Sequence, residues 1–157
     1  MLGARKGESL GMKLDFPPGF PHGEEAFKWG KGELVITMFA PSVVFRRARG
    51  IMTLEPAHFL CDYLLRYMAK KSAQDPPLRI FADDRLVERA TTDYRERMGG
   101  WVKEHKRDLA EVHILTDSRL FTMAVAVARL VIGGVLDSSY DLDKFTSAPR
   151  RAVETRA

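Results

Sequence analysis

Four short runs rich in β-branched and aromatic side chains recur along this chain, and the spacing between them constrains the fold more than any other feature. ELVITMFA (33–40) and VVFRRARG (43–50) are separated only by Pro41-Ser42, so they read as the two arms of a hairpin. LRIFADD (78–84) and EVHILTD (111–117) each follow a segment long enough for a helix. A tight turn joins antiparallel strands, whereas parallel neighbours need a crossover of about a dozen residues or more. The order is therefore ββαβαβα, with a further short edge strand expected over 135–142. That order specifies an α/β fold: a single-layer mixed sheet, made of an N-terminal antiparallel hairpin plus parallel strands, packed with about three helices.

The first helix is expected from Thr53, a suitable N-cap, to about Lys71. Leu60, Leu64 and Met68 form its apolar stripe, widened by Phe59, Tyr63 and Tyr67. The second spans Arg85 to about Lys106, with Leu86, Ala90, Met98, Trp101 and Val102 inward and Gly99-Gly100 as a weak point. The third runs from Arg119 to about Ile132, capped by Asp117 or Ser118. It is apolar nearly all round, which predicts a buried helix. Gly50 is expected to end the second strand, where Val43, Phe45 and Arg47 share one face and Val44 and Arg46 the other. That mixture suggests a partly solvated face.

Residues 1–30 read as an irregular extension, because GESLGMKLDFPPGFPHG has no period and Pro17, Pro18 and Pro21 interrupt it. Phe16, Phe20, Phe27 and Trp29 are its candidate anchors. Residues 31–146 form the α/β domain, and 147–157 a flexible basic tail. With 157 residues, 45% hydrophobic and 29% charged, the chain suits one domain that needs no metal or disulfide to hold its core. Cys61 is its single cysteine, which excludes an internal disulfide framework.

Lys and Arg number 25 against 21 Asp and Glu, a net charge of +4. The basic residues are interrupted by acids and accompany no reading motif, which argues against nucleic acid. Leu120 to Leu136 is the longest apolar run. It falls short of the ~20 residues of a membrane span, carries Arg129 and ends in Gly133-Gly134. No secretory signal is legible at the N-terminus, so a cytoplasmic location without a transmembrane span is expected.

The element order, with GIMTLEPAHFL opening the first helix straight after the hairpin, resembles the STAS-like superfamily. That superfamily comprises anti-sigma-factor antagonists, cytoplasmic domains of sulfate transporters and a large uncharacterised bacterial branch. The likeness covers about residues 33–145 and is nearest to the uncharacterised branch. It rests on a strand ending in Gly, a Thr-capped helix, a strand ending in acids, and a helix with late Trp101 and His105. Phosphorylatable members carry Asp-Ser-Ser/Thr-Gly where the second parallel strand meets its helix. Here that stretch is ADDRLVERATTDY, with Thr91 and Thr92 further along, and the Asp-Ser pairs are Asp117-Ser118 and Asp137-Ser138.

The resemblance implies a non-enzymatic regulatory or interaction module, without the phosphoserine switch, that binds another protein or self-associates. Its surface would join the first helix, an 83–93 loop and the basic second strand, through Asp83, Asp84, Thr91, Thr92, Asp117, Ser118, Arg46 and Arg47. The alternative is a small apolar ligand or lipid in the core, as the architecturally related CRAL-TRIO lipid-transfer proteins hold. Tyr63, Tyr67, Met68, Phe81, Trp101 and Met123 would line that pocket, unless they simply pack the core. A third reading is an enzyme using Asp83, Asp84 and Asp117 at the carboxyl ends of parallel strands. Against it, Asp is well suited to cap helices there. No cofactor motif is present, and His22, His58, His105 and His113 lack metal-ligand spacing.

Overall fold

The computed structural model describes residues 24–40, 42–134 and 136–139. Among these residues six strands form one sheet in sequential order: β1 (Glu24–Trp29), β2 (Gly32–Ala40), β3 (Val43–Met52), β4 (Leu78–Ala90), β5 (Leu109–Leu115) and β6 (Leu136–Ser139). β1, β2 and β3 pair antiparallel, and β3 to β6 pair parallel. The crossovers are α1 (Leu54–Ala69), α2 (Thr92–His105) and α3 (Arg119–Ile132). Each moves the chain one strand further in the same direction, so right-handed connections place all three helices on one face.

The parallel register sets what each face carries. Val44, Ile80, Val112 and Leu136 stand level across β3 to β6, with Arg46, Ala82 and Ile114 in the next row. These residues look toward the helices, and the apolar ones join Leu60, Leu64, Trp101 and Val102 in the main core. The alternate positions face the other way: Phe45, Phe81 and His113 in one row, Arg47, Asp83 and Leu115 in the next. Phe45, Phe81 and Leu115 are buried as well. The face assignment read from β3 therefore holds, and its partly solvated face is the one turned away from the helices, where Arg47 is half-buried and Arg49 exposed.

Four expectations are corrected. The irregular extension does not reach residue 30, because Glu24–Trp29 is a strand. Phe27 stacks on Phe59 with centroids 4.7 Å apart, and the Trp29 indole donates to the Ile51 carbonyl at 2.8 Å. Phe16, Phe20 and the 147–157 tail lie outside the described residues.

Gly50 does not end β3. It sits at φ +88° with a register shift beside it, and an added Cβ would lie 3.0 Å from the Gly32 Cα. A glycine here lets two backbones approach closely and leaves the strand free to bend.

Residues 85–90 are not the start of the second helix but the end of β4. They pair with β3 alone, beyond the reach of β5, so Glu88 and Arg89 can stay in contact with water. α2 begins only at Thr92 and continues unbroken through Gly99-Gly100.

Finally, α3 matches its expected span but is not buried. Leu120, Met123, Val127 and Leu130 are 80%, 65%, 63% and 87% exposed. The helix crosses to β6, a four-residue strand that is the sheet's edge among the described residues, and that edge offers little surface to cover it. Among the described residues no helix is long and apolar enough to cross a membrane.

Candidate functional site

Between the helix face of the sheet and the three helices lies an apolar cavity of about 190 Å³. The sheet supplies its floor through Val44, Ile80, Val112, Ile114 and Leu136, and α1 one wall through Leu60 and Leu64. α2 contributes Tyr94, Met98, Trp101 and Val102. Phe121, Ala124, Val125 and Ala128 of α3 close the last side. Arg95 and Ala124 are both exposed and both line the cavity, so it meets solvent between α2 and α3.

One ionic feature interrupts this lining. Arg46 on β3 and Asp84 on β4 both point into the cavity, with the Arg46 Nη2 donating to Asp84 Oδ2 at 2.9 Å. Their side chains are 9% and 5% exposed, which makes this a buried pair rather than a surface one. Buried pairs gain little net stability, because desolvating two charges offsets their attraction. This pair is also incompletely satisfied. Among the described residues Arg46 Nη1 and Asp84 Oδ1 have no hydrogen-bond partner, nor does the indole Nε1 of Trp101, another cavity residue. Each such buried atom costs about 1–3 kcal/mol, and more when it belongs to a charged group.

Electrostatics follow from the same burial. Loss of water pushes the Asp84 carboxyl above its ordinary range, only partly countered by Arg46. For Arg46, burial acts downward, but Asp84 and Tyr94 outweigh it and hold the guanidinium above its usual value. The Tyr94 phenol is pushed up to about 12 by burial, with Arg46 acting the other way.

The residues singled out from sequence separate into several places. Arg46 and Asp84 meet in the cavity. Asp83, one residue on, faces the opposite side of the sheet and is held by Arg85, whose Nη2 and Nε donate to it at 2.8 and 2.9 Å. Arg47 stands level with Asp83 on that side. Asp117 is exposed beside the same arginine and helps to raise its pKa. Asp83 and Asp84 cap no helix, and Asp83, Asp84 and Asp117 form no common carboxylate site.

The 83–93 loop is mostly strand, and its end puts Thr91 at the N-cap of α2. There its hydroxyl accepts from the Tyr94 N–H at 3.4 Å and contacts Asp93. Thr92, exposed, accepts from Arg95 at 3.4 Å. Ser118 caps α3 by accepting from the Phe121 N–H at 3.2 Å.

Of the six residues expected to line an apolar pocket, only Trp101 does. Tyr63 packs beside Phe59, Tyr67 is partly buried on α1, and Phe81 lies on the opposite face. Met123 points to solvent. Met68 borders a separate polar hollow with Lys71, Asp75 and Arg107. The missed lining residues are apolar positions scattered over four strands and three helices. Their convergence depends on register, which no local pattern contains. The one available signal was Arg46 on the inward face of a strand.

Among the described residues, no group of three or more His, Cys, Asp or Glu could hold a metal ion. No family model matches the chain, and no curated protein matches it at a significant level. A solved structure does: an uncharacterised protein of the DUF3478 family with a SpoIIAA-like fold, from Shewanella loihica. The two superpose with a TM-score of 0.56 at 14% identity, covering 87% of this chain and 98% of that one. The chain has a SpoIIAA-like fold. This is the STAS-like architecture that the element order resembled, and at this identity the likeness speaks to fold alone.

Proposed function

We propose that this protein is a non-enzymatic binding module that holds a small, largely apolar molecule between its sheet and its helices. The observation that carries this reading is the cavity itself, with its unsatisfied polar atoms at Arg46, Asp84 and Trp101. A well-packed core leaves few voids and satisfies its buried polar groups. Both rules are relaxed at one spot here, and that coincidence favours an occupant. At about 190 Å³ the space is below the ~300 Å³ of drug-sized pockets. It is somewhat larger than the ~150 Å³ cavity that accepts benzene. A single ring or a short chain with one polar end fits.

α3 is the natural gate. Its inner side lines the cavity through Phe121 and Val125, and its outer side is free. Moving it uncovers the cavity without disturbing β2 to β5. The test is native mass spectrometry of protein isolated gently from its own host, repeated after denaturation. A retained small mass lost on denaturation supports the reading, and a bare chain under the gentlest conditions contradicts it.

A second reading, protein binding, is favoured by a different observation. Leu120, Met123, Val127 and Leu130 repeat with the three-four spacing of a helix–helix seam and are all exposed. The interaction surface would then be α3 rather than α1, with an apolar helix of another protein or of a second copy against it.

A further inference from the structure

We infer that the Arg46–Asp84 pair selects the ligand's polar end, and that this end is a neutral group able both to donate and to accept a hydrogen bond, such as a hydroxyl or a primary amide. The inference rests on the cavity reading above and specifies its chemistry.

The pair is joined by one hydrogen bond, Nη2 to Oδ2. A guanidinium and a carboxylate can form two parallel bonds. Here the second atoms, Nη1 and Oδ1, are left without a partner among the described residues. One is an obligate donor and the other an acceptor. Both residues line the cavity and are more than nine-tenths buried, so the cavity is the side from which an occupant can approach their free atoms.

Charge then decides between head groups. The pair is neutral as a unit. A carboxylate placed to accept from Nη1 brings its negative charge against Asp84, and an ammonium placed to donate to Oδ1 brings its positive charge against Arg46. In a dry cavity neither clash is screened. A hydroxyl accepts from Nη1 through its oxygen and donates to Oδ1 through its hydrogen. A primary amide does the same with two different atoms. The Trp101 Nε1–H, also without a partner, is one more donor for the same oxygen. Arg95 is the competing influence, because it is exposed at the mouth and would hold an anion there.

The experiment is calorimetric titration of the full chain with single-ring probes of similar size: toluene, benzyl alcohol, benzamide, benzoate and benzylammonium. Benzyl alcohol and benzamide are expected to bind about tenfold more tightly than toluene, the worth of one hydrogen bond to a charged partner. Benzoate and benzylammonium are expected to bind more weakly than toluene. Replacing Arg46→Met and Asp84→Leu together should abolish the preference while toluene still binds, since apolar residues of similar volume commonly replace buried pairs without loss of fold. Toluene binding as well as the alcohol and amide overturns the head-group assignment and leaves the cavity reading standing. Benzoate binding best overturns it in favour of Arg95. Failure of every probe, toluene included, overturns the cavity reading itself.

Discussion

α1 and α3 are both apolar crossover helices, yet the chain treats them oppositely. α1 buries Pro56, Ala57, Leu60, Cys61, Tyr63 and Leu64. Among the described residues of α3, only Val125 is buried, and four large apolar side chains face water. The difference is position rather than composition. α1 connects β3 to β4 in the middle of the sheet and touches β1 as well, so sheet surface extends beyond it on both sides. α3 connects β5 to β6, the last strand of the sheet among the described residues. An apolar helix at an edge keeps an outer face that something else must cover, or that must move. In this protein the same edge helix also closes the cavity.

Substitutions on the two sides of the molecule should have unequal effects. The largest effect is expected at the core: Trp101→Ala should cost about 4 kcal/mol by denaturant unfolding, because the indole is 1% exposed and packed on α1 and the sheet. A cost under about 1 kcal/mol would mean that the α1–α2 side is no better packed than α3. Asp84→Ala should cost about 3 kcal/mol by leaving Arg46 buried and unpaired, while the double apolar replacement at 46 and 84 should come close to neutral.

Tyr94 gives a pH signature. Its native pKa of about 12 lies above the ordinary 10, so the folded state holds the proton longer than the unfolded chain. That contribution is complete below pH 10 and is lost as pH rises from 10 to 12. Between pH 9 and 11 the loss attributable to this residue should be about 1 kcal/mol, read as the difference between wild type and Tyr94→Phe. Leu130→Glu should change the stability of the monomer least, by under about 0.5 kcal/mol, since the side chain is 87% exposed. If α3 pairs with a second copy, the same substitution should shift sedimentation toward monomer.

Much of the architecture is legible in the residues. β2, β5, α1 and α3 follow directly from period and punctuation, because each has neighbours on both sides or an uninterrupted apolar pattern. The losses occur at edges. β1 alternates exposed and partly buried residues after a proline-rich stretch, so EEAFKW carries almost no strand signal. RLVERA reads as helix because the end of β4 has only one strand beside it and can keep its charges wet. Misplacing that boundary moved Asp83 and Asp84 from mid-strand to a strand end, and every carboxylate-based site inherited the error. It also hid Thr91 as the cap of α2. The cavity was the least legible part, since it is a mismatch of volumes among distant elements, with Arg46 and Asp84 separated by 38 positions.

The most direct test of the account is a calorimetric titration of benzyl alcohol into the wild-type chain and into Ala128→Phe, which fills the cavity from α3. Saturable one-to-one binding to the wild type is expected, lost in the filled variant, with the melting temperature of the variant maintained or raised. Absence of binding to the wild type, or equal binding to both proteins, would contradict it.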